Sequence, residues 1–188
     1  MATKHQPLPL PRPLLRPVEP TGAITAGWKA YNLTSDKEFG IGAWSDQQIA
    51  DYLSKGHAEG RGAASSSMAE AVEYSLRFLA PEDIRAMVTY LRSIPPQRGE
   101  GDAPVTLDPP AARAPNAFSP LPEELKEASL GLALFQGACA SCHGWNGEGL
   151  QHSHAALIGS RSANDRKGTN LLQVILHGSH MKTRLRTH

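Results

Sequence analysis

The sequence predicts an all-α fold interrupted by long proline-rich irregular segments, and three observations carry that prediction. Apolar residues recur at helical spacing in several stretches with cap residues at their ends, and residues 21–96 show no two-residue alternation of a half-buried strand. The third is the distribution of the 15 prolines, six of them between Pro7 and Pro20 and eight between Pro95 and Pro122. Proline fixes φ and removes a backbone donor. Residues 1–20 are therefore expected to be a disordered tail and residues 97–120 a linker. Two modules remain, residues 21–96 and 121–188.

In the first module, SDQQIADYLSKG pairs Ser45 with Gln48 three residues on. That is a capping box, and Gly56 can supply the left-handed stop. Ile49, Tyr52 and Leu53 share its apolar face. SMAEAVEYSLRFL repeats the device with Ser67 and Glu70, which puts Met68 in a first turn. In APEDIRAMVTYLRSIPP, Pro81 fits the first helical position. Ile84, Met87, Val88 and Leu91 make the stripe, and Pro95–Pro96 end it.

The second module opens with PEELKEASLGLALFQGACASCHG. Ala128, Gly131, Leu132 and Phe135 recur at helical spacing up to Cys139, and Gly131 in that face would let another helix approach closely. A loop with Gly144, Gly147 and Gly149 follows. TNLLQVILHG then reads as a short helix with Thr169 or Asn170 as cap and Gly178 as stop.

Composition excludes some functions. A formal net charge of +1 over 188 residues leaves no basic footprint for nucleic acid. No apolar run approaches the roughly 18 residues of a membrane span, and MATKHQPLPLPRPLLRPVEP lacks the apolar stretch of a secretion signal. Read by itself, the chain is expected to be soluble, without a signal peptide or transmembrane segment.

The most specific signal is CASCHG. The chain's only two cysteines, Cys139 and Cys142, are separated by two residues and followed by His143. Two thiols so spaced can each add to a haem vinyl group, and a histidine directly after the second is carried beneath the ring to ligate the iron. A thioredoxin-like pair would be expected near a βαβ pattern. A zinc site would usually need further soft ligands, and the chain has no more cysteines.

With the motif in place, residues 121–178 resemble the third haem domain of the three-haem cytochrome c subunits of bacterial membrane-associated dehydrogenases, those oxidising alcohols, gluconate and related sugars. The carrying features are the helix, CASCHG, Gly147, Gly149 and NLLQVILHG. NLTSDKEFGIGAWSDQQIADYLSKGHAEGRGAASSSMAEAVEYSL, with the closing YLRSIPP, is similar to the later half of the second haem domain of the same subunits. The resemblance implies a cytochrome c-like fold and one covalent haem c. Cys139 and Cys142 would be its thioether attachments and His143 its proximal ligand. It also implies an electron carrier on the periplasmic face of the inner membrane, not an enzyme by itself. Electrons would come from a dehydrogenase catalytic subunit holding flavin or pyrroloquinoline quinone and pass to ubiquinone.

Met68 matches the sixth ligand of the second domain; on position alone it reads as a core methionine. The Cys-x-x-Cys-His of that domain would precede Gly27, where this chain has its proline-rich tail. Met68 lies twelve residues beyond Gly56, and the same offset from Gly178 falls two positions past His188, so the second module is expected to be truncated before its axial methionine. Met181 is a weak candidate for that place. His152, His154, His177 and His180 are others, against the ordinary reading of solvated imidazoles. The family often has Tyr-Pro where His154–Ala155 stand, and the Ala155 carbonyl is the expected substitute for the proline carbonyl that steadies the proximal ring. One further arrangement has the two half-domains forming a permuted haem domain, with Met68 on the iron held by His143. Two other functions stay open: a thiol-redox or metal-binding CxxC module, and a non-functional truncation.

Overall fold

Residues 21–99, 130–145, 147–150 and 152–179 are described by the structure, a computed structural model. The tail 1–20, most of the 97–120 linker, Ala128, His180 and Met181 lie outside those residues.

The first module is organised by its helix ends. Helix α1 (Asp46–Lys55) starts where the Gln48 backbone N–H donates to Ser45 Oγ (3.1 Å) and the Ser45 N–H donates to Gln48 Oε1 (2.8 Å). Two otherwise unpaired donors are thereby satisfied, a device whose loss costs about 1 kcal/mol. Gly56, at φ 72°, ends the helix by donating to Tyr52 O. Helix α2 (Ser66–Tyr74) departs from expectation. It begins one residue before the predicted capping box, with Ser65 as cap and no side-chain cap bond, so Ser67 lies inside the helix and Met68 still falls in the first turn. It also stops at Tyr74, and Leu76–Phe78 form a separate 3₁₀ turn. Helix α3 (Pro81–Ser93) has Pro81 in its first turn and ends before Pro95, as predicted.

Ile49 and Leu53 of α1 and Ile84 and Val88 of α3 close on Ile41 to form the main core. Burying each such side chain is worth roughly 1.5–3 kcal/mol. A smaller cluster of Ala64, Ala69 and Val72 lies beside it, and Met68 and Leu76 pack against both. Arg92 of α3 binds the turn before α1. It donates to Asp46 Oδ1 (2.8 Å), to Ile41 O (3.3 Å) and to Trp44 O. The fully buried Asn32 accepts from the Thr34 N–H and donates to Gln97 O, both at 2.8 Å, which holds the segment leaving α3 against the loop entering the module.

Among the described residues the fold is mainly helical, with two small antiparallel hairpins that the sequence pattern does not announce. Strands β1 (Ala23–Thr25) and β2 (Trp28–Ala30) pair Ile24 with Lys29. The two residues between them, Ala26 and Gly27, both have positive φ (49° and 81°), the requirement of a type I′ turn. An alanine there gives no turn signal, and β1 is exposed throughout, so no alternation marks it. Strands β3 (His57–Ala58) and β4 (Gly62–Ala63), of two residues each, are too short for any period to show.

The second module comprises α4 (Leu130–Ala138), α5 (Ala140–His143), a 3₁₀ turn at Ser153–Ala155, α6 (Arg161–Asn164) and α7 (Thr169–His177). Gly168, in the left-handed region at φ 61°, caps α7 in place of the predicted Thr169 or Asn170. The Asn170 side chain is used elsewhere. It donates to Lys29 O and accepts from Lys29 N–H, both at 2.8 Å, pairing with β2 as a strand would.

Around that pair the modules dock. Asp165 accepts from Lys29 Nζ (3.5 Å) and the Tyr31 hydroxyl (3.4 Å), Arg161 donates to Asn32 O (3.3 Å) and Phe39 O, and Ser179 Oγ donates to Ala64 O (3.3 Å).

Candidate haem-attachment site

The motif sits on a single helical turn. The Cys139 N–H continues the end of α4 by donating to Phe135 O (2.8 Å), and the Cys142 and His143 N–H groups donate back to Cys139 O (3.1 and 3.0 Å). Positions three and four apart share a helix face, so Cys139, Cys142 and His143 lie together on one side of α5. Cys139 is half-buried and Cys142 exposed, and both thiols are free. Ser141 Oγ is 3.9 Å from Cys142 Sγ.

The glycine loop folds back over this turn. The Gly149 N–H donates to His143 O (2.8 Å) and the Leu150 N–H to Cys142 O (2.9 Å). Gly147 O accepts from both Leu157 (2.6 Å) and Ile158 (3.1 Å). Gly149 has φ 77°, and a Cβ there would lie 2.7 Å from Ala156 N and 2.8 Å from His152 O. No side chain fits between these strands of loop, so glycine is required on both counts.

This packing brings Ala155 to His143. The ring Nδ1 is 2.6 Å from Ala155 O. A carbonyl only accepts, so Nδ1 carries the hydrogen and Nε2 is the nitrogen left to bind a metal. The Ala155 N–H is engaged as well, donating to His152 O (2.9 Å). A proline at this position would supply the same carbonyl but lose that bond. Among the described residues, His, Cys, Asp and Glu form no group of three able to hold a metal ion directly.

Residues 128–184 match the cytochrome c family. This region is a cytochrome c domain. A cytochrome c domain implies covalent haem c, and Cys139 and Cys142 fit the attachment spacing. Over 166 residues the chain is 36% identical to the cytochrome subunit of fructose dehydrogenase from Gluconobacter japonicus, a match covering 84% of this chain and 33% of that protein. It is 30% identical over 156 residues to the cytochrome c subunit of gluconate 2-dehydrogenase from Pantoea cypripedii (81% and 33%). It is also 29% identical over 160 residues to the cytochrome c subunit of the quinone-type alcohol dehydrogenase from Gluconacetobacter polyoxogenes (84% and 32%). The chain spans about a third of the length of each of these relatives. The similarity is thus to cytochrome subunits of dehydrogenase complexes, as the motifs implied, and it includes the first module as well as the cytochrome c domain.

The other predicted ligands are placed differently. Met68 is half-buried between the two apolar clusters of the first module, the setting of a packed core methionine. The modules do join, but through β2, the β3–β4 hairpin and α7. Helix α4 packs chiefly on α5, and Gly131 is exposed with Leu130 and Leu134 beside it, so the close helix approach expected at Gly131 is not made by a described element. His152 and His177 are exposed. His154 lies against His57.

Sequence reasoning missed the seam residues altogether. Asn170, Arg161 and Asp165 have no motif, and their partners lie more than 100 residues away. Burial pushes the Tyr31 phenol up to about 12, helped by Asp165 and opposed by a hydrogen bond with Ser162. That tyrosine therefore stays a neutral donor to Asp165 at any physiological pH.

Among the described residues, no helix is long and apolar enough to cross a membrane.

Proposed function

We propose that this chain is a haem c electron carrier, with Cys139 and Cys142 as its thioether attachments and His143 as its proximal iron ligand. The supporting observation is the bond from His143 Nδ1–H to Ala155 O, which fixes the tautomer and aims Nε2 as a ligand. Cys139 and Cys142 would hold the haem through thioether bonds, each thiol adding its sulfur and its hydrogen across one vinyl double bond, which would need no oxidant. The haem supplies one-electron cycling of its iron. The residues around it hold it covalently, orient the imidazole and set how strongly the ligand donates.

The relatives' names support a dehydrogenase partner, and the family resemblance of the motifs extends the reading. The partner is a dehydrogenase catalytic subunit, carrying flavin or pyrroloquinoline quinone, and the acceptor is ubiquinone at the periplasmic face of the membrane. Bond-breaking chemistry belongs to the partner. Met68, packed between the two apolar clusters, is by the family resemblance the candidate sixth ligand or the axial ligand of the incomplete first module; a thioether in that place would favour ferrous iron and raise the potential.

The test is production in a host that exports and matures cytochromes c, followed by intact mass and visible spectra. Wild type is expected to carry the mass of one haem, and Cys139→Ser/Cys142→Ser none. Met68→Ala is expected to lose any sulfur–iron charge-transfer band. A bare polypeptide mass for wild type overturns the carrier reading, and titratable thiols or bound zinc in that material would establish the thiol or metal module instead.

A further inference from the structure

Residues 155–161 run as one strap from His143 to the first module. At the near end Ala155 O accepts from His143 Nδ1–H (2.6 Å). In the middle the Leu157 and Ile158 N–H groups share Gly147 O (2.6 and 3.1 Å), and the Ser160 N–H closes a turn on Leu157 O (3.0 Å). At the far end Gly159, at φ 76°, lies against the backbone of the β3–β4 hairpin. A Cβ there would overlap Gly60 O and sit 2.6 Å from the Gly60 carbonyl carbon, so the conformation and the contact both demand glycine. Ser160 faces Gly62, where a Cβ would lie 3.4 Å from Ser160 Cα. The next residue, Arg161, donates to Asn32 O (3.3 Å) and Phe39 O.

We propose that the first module, which contains no cysteine, serves as the seat of this strap, and that Gly159 is the positioning residue that keeps Ala155 O on His143. The inference rests on the haem reading above. The strap is closely packed on both sides. At the glycine loop, a Cβ on Gly149 would lie 2.7 Å from Ala156 N and 3.0 Å from the Ala155 carbonyl carbon. At the hairpin, Gly159 already meets backbone that no side-chain rotation can move aside. Between those surfaces the Ala155 peptide is tied upstream by its own N–H to His152 O (2.9 Å) and downstream by the Leu157 N–H to Gly147 O. A displacement at Gly159 therefore has no slack to absorb it before it reaches the carbonyl that holds Nδ1.

The consequence falls on the iron. A hydrogen bond from Nδ1 makes the imidazole a stronger donor through Nε2, and stronger donation favours the ferric state. Parting the strap from the hairpin stretches that bond, weakens the donor and raises the reduction potential of a haem bound through His143. The first module thus tunes the electron carrier from across the seam.

The experiment measures the midpoint potential of the haem-loaded full chain at one fixed pH, together with solvent exchange of the His143 Nδ1–H by proton NMR. In Gly159→Ala the reduction equilibrium constant is expected to rise roughly tenfold, about 59 mV for a one-electron couple, and Nδ1–H to exchange faster than in wild type. Gly168→Ala is the control. Gly168 also has a left-handed φ (61°), but a Cβ there meets nothing within 4 Å, so this variant carries similar backbone strain and should keep both wild-type values. Arg161→Lys keeps the charge at the far end of the strap but not the forked grip, and should move both readouts in the same direction by less. It is the variant read if Gly159→Ala does not load haem. Wild-type values in the loaded variant, or equal shifts in Gly168→Ala, overturn this proposal alone, whereas a wild-type chain of bare polypeptide mass overturns the haem reading and this one with it.

Discussion

Asn170→Ala would test whether the two modules are joined in solution as the structure joins them. The Asn170 side chain is 6% exposed and makes two 2.8 Å bonds to the peptide groups of Lys29, one as donor and one as acceptor. Each bond contributes about 1 kcal/mol net, so losing both costs about 2 kcal/mol if water replaces the amide. If the seam stays dry, the stranded Lys29 N–H and carbonyl add their own desolvation, and the loss approaches about 4 kcal/mol. Urea unfolding of the haem-loaded protein, followed by far-UV ellipticity, reads this directly. With a slope of roughly 1–3 kcal/mol per molar for a small protein, the midpoint should fall by on the order of 1 M. Asn170→Asp sharpens the test. Its carboxylate can still accept from Lys29 N–H but sets a charged oxygen against Lys29 O, so it should be at least as damaging as alanine. If both variants keep the wild-type midpoint, Asn170 does not hold the seam and the docking described above is wrong.

Further outcomes concern the first module. Asn32→Ala removes both the bond to Gln97 O and the one from Thr34 N–H inside a fully buried site, and should cost roughly 2–3 kcal/mol by the same measurement. Backbone N–H bonds from Phe39 and Glu38, with help from Arg98, hold the Asp36 carboxyl below its ordinary range. The charged form is favoured by folding, so this stabilisation is complete above the unfolded value near pH 3.9 and is lost as pH falls through the lower folded one. Thermal midpoints of wild type should accordingly drop more steeply below about pH 4 than those of Asp36→Asn. Equal slopes would show that Asp36 carries no such linkage.

The predicted local structure held at several helix ends of the first module. The Ser45–Gln48 box, the Gly56 stop, Pro81 at a helix start and the end of α3 before Pro95 each need only a few neighbouring residues to be satisfied. The β1–β2 hairpin was illegible because its turn uses alanine at positive φ and its first strand buries nothing. The cap of helix α2 slipped by two residues, from Ser67 to Ser65, for a related reason. Ser66, at φ 50°, opens the helix from a left-handed conformation that no cap pattern announces. At the site, Cys139, Cys142 and His143 were legible as a spacing. The role of Ala155 followed from comparison of its position with a Tyr-Pro pair, and its carbonyl does reach His143.

By itself the sequence determined the attachment chemistry, because two thiols and an imidazole on one helical turn carry their geometry in their spacing, whatever surrounds them. It also determined both ends of α1 and α3, where hydrogen-bonding needs are met within four residues. Tertiary structure alone decided which residues from the two modules meet: Asn170 with Lys29, Arg161 with Asn32 and Phe39, His154 with His57. Those partners are some 100 residues apart along the chain and share no period or motif. Only the packing of loop against hairpin brings their polar groups within hydrogen-bonding or ring-contact distance.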